Sequence, residues 1–171
     1  MKNILKLVIA FAIAAMCSNV SAQTVKLAHI NMQDLIESMP EYETAMETFQ
    51  IFVQELENEL EEMNVELNRL WDNFQRTQEG LTDIVRQNRI EEIQIRQQRV
   101  QAFQQQAEES AMMEQGRIMQ PIIERANDAI ETVARAQEIT YVITDNPQIL
   151  LFKGIGAIDL LPAVRQHLGI R

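Results

Sequence analysis

Cysteine is almost absent from this chain of 171 residues, and its one copy, Cys17, lies near the start. Everything downstream must therefore be stabilised without disulfides, and thiol chemistry is excluded there. Histidine is as scarce, with only His29 and His167, and the five glycines nowhere gather into a phosphate-cradling loop. No catalytic, cofactor-binding or metal-binding residue can be assigned on such material, so no cofactor and no enzymatic activity are expected. His29 falls in a strand and reads as a structural or interface residue. Basic residues are missing altogether from Glu41 to Glu66, a stretch that holds nine glutamates. The formal net charge of −10 argues against a nucleic-acid partner.

Long apolar runs are lacking too, with one short exception. Lys2 and Lys6 flank the start of an apolar stretch from Leu7 to Met16, followed by Val20-Ser21-Ala22. That is the layout of a secretory signal peptide over residues 1–22, with cleavage expected between Ala22 and Gln23. A membrane span needs ~20 apolar residues, more than this run offers. Cys17 invites a lipoprotein reading, but Met16 stands where such signals carry a small residue, so Cys17 leaves with the leader. The mature chain then has no cysteine and a formal charge of −12.

What the chain does have is a heptad seam. Apolar residues fall at Tyr42, Met46, Phe49, Val53, Leu56, Leu60, Met63, Leu67, Leu70 and Phe74, in steps that alternate four and three. This is the seam of a helix that packs along a partner helix. With Met46 at position a, Val53, Leu60, Leu67 and Phe74 share that position, and Phe49, Leu56, Met63 and Leu70 occupy d. At about 1.5 Å per residue the stretch makes a rod of roughly 50 Å. A rod has no pocket, so its chemistry is contact.

Pro40, Glu41 and Glu43 suit the first turn of that helix. Gly80, between Thr77 and Thr82-Asp83, marks the reversal, with a tip near 77–83. The return limb can draw its seam from Leu81, Ile84 or Val85, Ile93, Val100, Phe103 and Ala107, and it is thin across the Gln-rich stretch 94–106. Apolar density recovers at Ile118, Ile122, Ala126, Ile130 and Val133. Pro121 predicts a kink near 117–121. The arm thus covers 41–138.

The ends of the mature chain read as β. Val25–Asn31 is a short strand, and Met32–Ser38 forms one or two helical turns with Leu35, Ile36 and Met39 facing inward. Ile139–Thr144 is a second strand, Asp145-Asn146-Pro147 a turn, and Ile149–Phe152 a third strand. Asp159 caps a last helix that tolerates Pro162 and ends at Gly169. Residues 23–40 and 139–171 together make a body of only 51 residues with open strand edges, marginal alone. Several copies pooling their strands would complete it. The fold class is therefore α+β: a long antiparallel helical hairpin, a coiled-coil arm, projecting from a small β body completed by oligomerisation. The body residues are Leu27, Ala28, Ile30, Tyr141, Val142, Ile143, Leu150 and Leu151.

A two-stranded seam uses only a and d, which leaves four large apolar residues of the outward limb elsewhere. Ile51 and Val65 fall at f, Phe52 at g and Trp71 at e. They are either scattered surface apolars or cargo-facing side chains. Phe52 and Trp71 favour contact, and Ile51 and Val65 divide evenly between the two. The acidic run reads as a solvated helix face. The alternative reading is repulsion between neighbouring arms of like charge. Around the tip, residues 69–89, the balance is +1.

Leu27-Ala28-His29-Ile30-Asn31-Met32, the acidic heptad arm, Glu114-Gln115-Gly116-Arg117 on the return limb and the terminal strands with Asp145 together resemble the Skp (OmpH-like) family of periplasmic chaperones. The resemblance spans the mature chain in order. It implies a homotrimer whose helical-hairpin arms enclose a cavity. It further implies an ATP-independent holdase that binds unfolded outer-membrane β-barrel proteins in the periplasm and prevents their aggregation. The best-known members are basic whereas this chain is acidic, so contact of the arm tips with membrane stays open. The rival function is a non-catalytic coiled-coil scaffold or spacer of the cell envelope.

Overall fold

Hydrophobic alternation in a four-residue strand decides how the base of the molecule is layered. The computed structural model describes residues 25–170, so the expected signal peptide and its expected cleavage site lie outside the described residues. Strand β1 (Leu27–Ile30) buries Ala28 and Ile30 against helices. Asn31 ends it by capping helix α1 (Met32–Glu37), its Oδ1 accepting from the backbone amides of Gln33 and Asp34 at 3.1 and 3.2 Å. Leu35 of α1 is wholly buried, and Met39 beside it nearly so.

Pro40 then starts helix α2 (Pro40–Thr77) at the position where its missing amide costs nothing. A short 3-10 turn (Gln78–Gly80) and Thr82, in extended conformation, lead into helix α3 (Asp83–Ala136). The outward limb has 38 residues and the return limb 54, so α3 runs on past the start of α2 and into the body. At about 1.5 Å per residue these are rods of roughly 57 and 81 Å. Helix α3 passes through Pro121 as one unbroken helix. It ends in a Schellman arrangement, with Ile139 N donating to Ala134 O and Glu138 N to Arg135 O. Glu138 occupies the left-handed position, φ 55°, usually held by glycine.

Strand β2 (Tyr141–Thr144) follows and pairs parallel with β1, and β3 (Ile158–Asp159) pairs parallel with the other edge of β1. The order is β2-β1-β3, with one edge of each outer strand open. The strand expected over Ile149–Phe152 is not formed. The amides of Ile149 and Leu150 both donate to Asn146 O at 2.8 Å, and that of Gln148 to Asn146 Oδ1, so this stretch starts as a turn. Amides spent on a turn cannot join a ladder, and Ile158–Asp159 takes the free edge of β1 instead. Asp159 Oδ1 accepts from Leu161 N and opens helix α4 (Leu161–Leu168), which closes at Gly169 with φ 73°.

The core sits at the foot of the hairpin. Ala28 and Ile30 meet Leu35, Met39, the small face of α3 at Ala126 and Ala129, and Leu160 and Val164. Full burial of side chains such as Leu35, Leu160 and Val164 contributes about 1.5–3 kcal/mol each. Arg165 ties α4 to α1, its Nη2 donating to Asp34 O at 2.9 Å and its Nε to Ser38 Oγ at 3.2 Å.

Candidate functional site

Two surfaces stand out: the flank of the arm and the open face of the sheet. On the arm, Met46, Phe49, Val53, Leu56, Leu60, Met63, Leu67 and Leu70 are half-buried, and Phe74 near the tip is buried. Opposite them α3 buries Ile93 and Val100 near the tip and Ile122 and Ala126 at the base. Between Val100 and Ile122 no residue of α3 is fully buried. A gap of about 220 Å³ opens there between Val53, Leu56 and Leu60 of α2 and Gln104, Ala107 and Ala111 of α3. Small and polar residues on the return limb cannot fill the space that the leucines face.

The return seam itself is partly polar. Ile84 and Val85, one or the other of which is expected in the seam, are 76 and 41 % exposed. Arg86 and Arg96 sit half-buried instead. Arg86 donates to Gln78 O and Leu81 O, bracing the tip, and Arg96 reaches Glu66 across the hairpin. Apolar periodicity cannot reveal such positions, because a long cationic side chain lies its methylenes in the seam and keeps its head in water.

The four off-seam apolars divide into two kinds. Ile51 and Val65 are 63 and 60 % exposed, fourteen positions apart on one stripe of α2. Phe52 is half-buried, and Trp71 meets Phe74 edge to face with ring centres 6.2 Å apart. Met112 and Met113 on α3, exposed by 69 and 68 %, join the exposed set. The criterion that selected Ile51 applies equally to them.

Charge sets the outer face. Of the nine glutamates from Glu41 to Glu66, Glu41 pairs with Arg125 and Glu66 with Arg96, both across the hairpin. The other seven have no ion-pair partner among the described residues. In the Glu114-Gln115-Gly116-Arg117 stretch, Arg117 Nε donates to Glu114 at 2.7 Å. That bond holds the Glu114 carboxyl below its ordinary range and raises the Arg117 guanidinium.

In the body, register places Ala28 with Val142 and Ile158, and His29 with Ile143 and Asp159. The first set faces the helices, with Ala28 in the core and Val142 and Ile158 packed on it. Leu27, His29, Tyr141 and Ile143 therefore face the other way, and Leu27 and Tyr141 are exposed there. Leu150 is half-buried and Leu151 exposed. Asp145, just past β2, accepts from Lys153 Nζ at 2.6 Å and lies 3.2 Å from His29 Nδ1. The His29 contact falls within ion-pair distance but is not aligned as a hydrogen bond. Lys153 first, and His29 after it, hold the Asp145 carboxyl below its ordinary range. Among the described residues no helix is long and apolar enough to cross a membrane.

A long helical hairpin rooted in a small parallel sheet defines the class: a small β body that carries a helical arm. The chain belongs to the OmpH-like outer membrane protein family, whose model matches residues 26–168. A similar solved structure is that of a candidate OmpH-like outer membrane chaperone from Caulobacter crescentus CB15. The two share 12 % identity at a TM-score of 0.70, over 83 % of this chain and 82 % of that one. That likeness is one of fold. No curated protein matches the chain.

Proposed function

We propose that this protein is an ATP-independent holdase chaperone of the periplasm, which binds unfolded outer-membrane β-barrel proteins between its arms and prevents their aggregation. In this reading residues 1–22 are removed, 23–40 and 139–171 form the body, and 41–138 form the arm. Three copies join through the open faces and edges of their sheets, so that the arms enclose a cavity. The role of the Caulobacter protein named above agrees with this reading.

The observation that carries it is the arm's own incompleteness. Its seam is half-open through the middle, Ile51, Val65, Met112 and Met113 lie uncovered, and seven glutamates go unpaired. Scattered, flexible apolar side chains suit clients that share no sequence. The acidic surface keeps a loaded cage open and soluble. A spacer would want a filled seam.

The test is aggregation of an unfolded membrane β-barrel protein diluted from denaturant, with and without the mature chain and without nucleotide. Suppression at near-stoichiometric amounts is expected. A chain that leaves aggregation unchanged refutes the holdase and favours the envelope scaffold.

A further inference from the structure

Parallel sheets are normally covered on both faces. Here helices cover one face, and the other is crossed only by the strap of residues 146–157. His29 on this face is only 9 % exposed, and an open groove of about 580 Å³ runs between the face and the strap. Leu150 and Phe152 line that groove without filling it. Leu151 and Phe152 are 89 and 83 % exposed, and Ile155 stands fully in solvent. Between Leu151 and Gly156 the one bond from the strap to the sheet region, among the described residues, is Lys153 Nζ to Asp145 Oδ2.

Lys153 is also the only charged residue of the strap. That matters if the face meets a second copy of this chain, because symmetry repeats every charge at the interface. An uncompensated lysine would be desolvated among its own copies, at a cost that like charges raise further. Asp145 removes this cost inside each chain before the copies meet. A partner of opposite charge would gain from a bare lysine, so a cation neutralised in advance fits a self-complementary surface.

We propose that Asp145 is the residue that licenses self-association. By pairing with Lys153 it neutralises the strap, whose outward residues Leu151, Phe152 and Ile155 are then buried against a second copy of the chain. This rests on the reading above that copies join through the body, and adds the charge device that permits it. Asp145 here positions and neutralises; it contacts the partner only through the strap.

The experiment is sedimentation velocity of the mature full chain over a concentration series, with circular dichroism on each sample. Asp145→Asn leaves Lys153 bare and should raise the concentration for half-assembly about tenfold. Adding Lys153→Met to Asp145→Asn should return it close to the wild-type value, which loss of a merely structural tether would not do. Lys153→Met alone leaves the Asp145 carboxylate without its lysine and should weaken assembly as well, and the double variant decides the matter if Asp145→Asn does not fold. Unchanged assembly of Asp145→Asn, or failure of the double variant to recover, would overturn the proposal while leaving body-mediated assembly standing. A wild-type chain that stays monomeric would overturn both.

Discussion

Arg96 Nη2 lies 2.8 Å from Glu66 Oε1, joining the two limbs on the stretch of α3 between the buried Ile93 and Val100. The pair adds a directional contact between limbs that apolar residues pack on either side of it. Both side chains are partly exposed, at 29 and 39 %, so its energy is modest. A double-mutant cycle on Glu66→Gln and Arg96→Met should give a coupling of about 0.3–1 kcal/mol in urea unfolding. Coupling indistinguishable from zero would show that the contact does not act between the limbs.

Glu138 carries a backbone strain that glycine would relieve. Left-handed geometry costs a side-chain-bearing residue about 1–2 kcal/mol, part of which glycine returns through the entropy of the unfolded chain. Glu138→Gly should therefore stabilise the body by roughly 0.5–1 kcal/mol, read as a higher midpoint of thermal unfolding. Destabilisation would mean that the Glu138 side chain makes a contribution outweighing the strain.

The acid limb of stability should carry the mark of Asp145. Its folded-state value lies below the ordinary one, so the unfolded chain binds this proton more tightly. The stabilisation is complete above the ordinary aspartate value of about 3.9 and is lost as pH falls through the depressed folded value. Thermal midpoints of Asp145→Asn should thus fall less steeply than wild type on acidification in that window, and differ most from wild type above it. Parallel profiles for the two proteins would remove Asp145 from the acid response.

Client capture should separate the two kinds of off-seam residue. Ile51→Ser with Val65→Ser removes exposed apolar surface that the fold does not use. Suppression of client aggregation should weaken by up to about tenfold at unchanged helix content, since a fluctuating client returns only part of the 1.5–3 kcal/mol of full burial. Phe52→Ser with Trp71→Ser should weaken capture too, but at some cost in arm stability, because Trp71 packs on Phe74. Full activity of the Ile51/Val65 variant would move client contact to other residues.

The hairpin was readable because its signal is local and repeated. A period of 3.5 from Tyr42 to Phe74, a proline at the start and a glycine at the turn each act within a few residues, and together they admit one arrangement. Leu35, Met39 and the Asp159 cap were legible for the same reason. Where tertiary context competes with propensity, the reading failed. Ile149–Phe152 has the composition of a strand, yet Asn146 draws its first amides into a turn, and two residues near Gly156 pair with β1 instead. Ile84 looked like a seam residue and stands in water, because which helix face meets the partner is decided by both helices at once. The meeting of Arg96 with Glu66, and of Asp145 with His29 and Lys153, depends on chain separations that no periodicity encodes. Sequence alone determined that an acidic helical arm leaves and returns to a small β body. Only the tertiary structure decided which charges that return brings into contact and which face of the sheet it leaves uncovered, because both depend on register between distant segments.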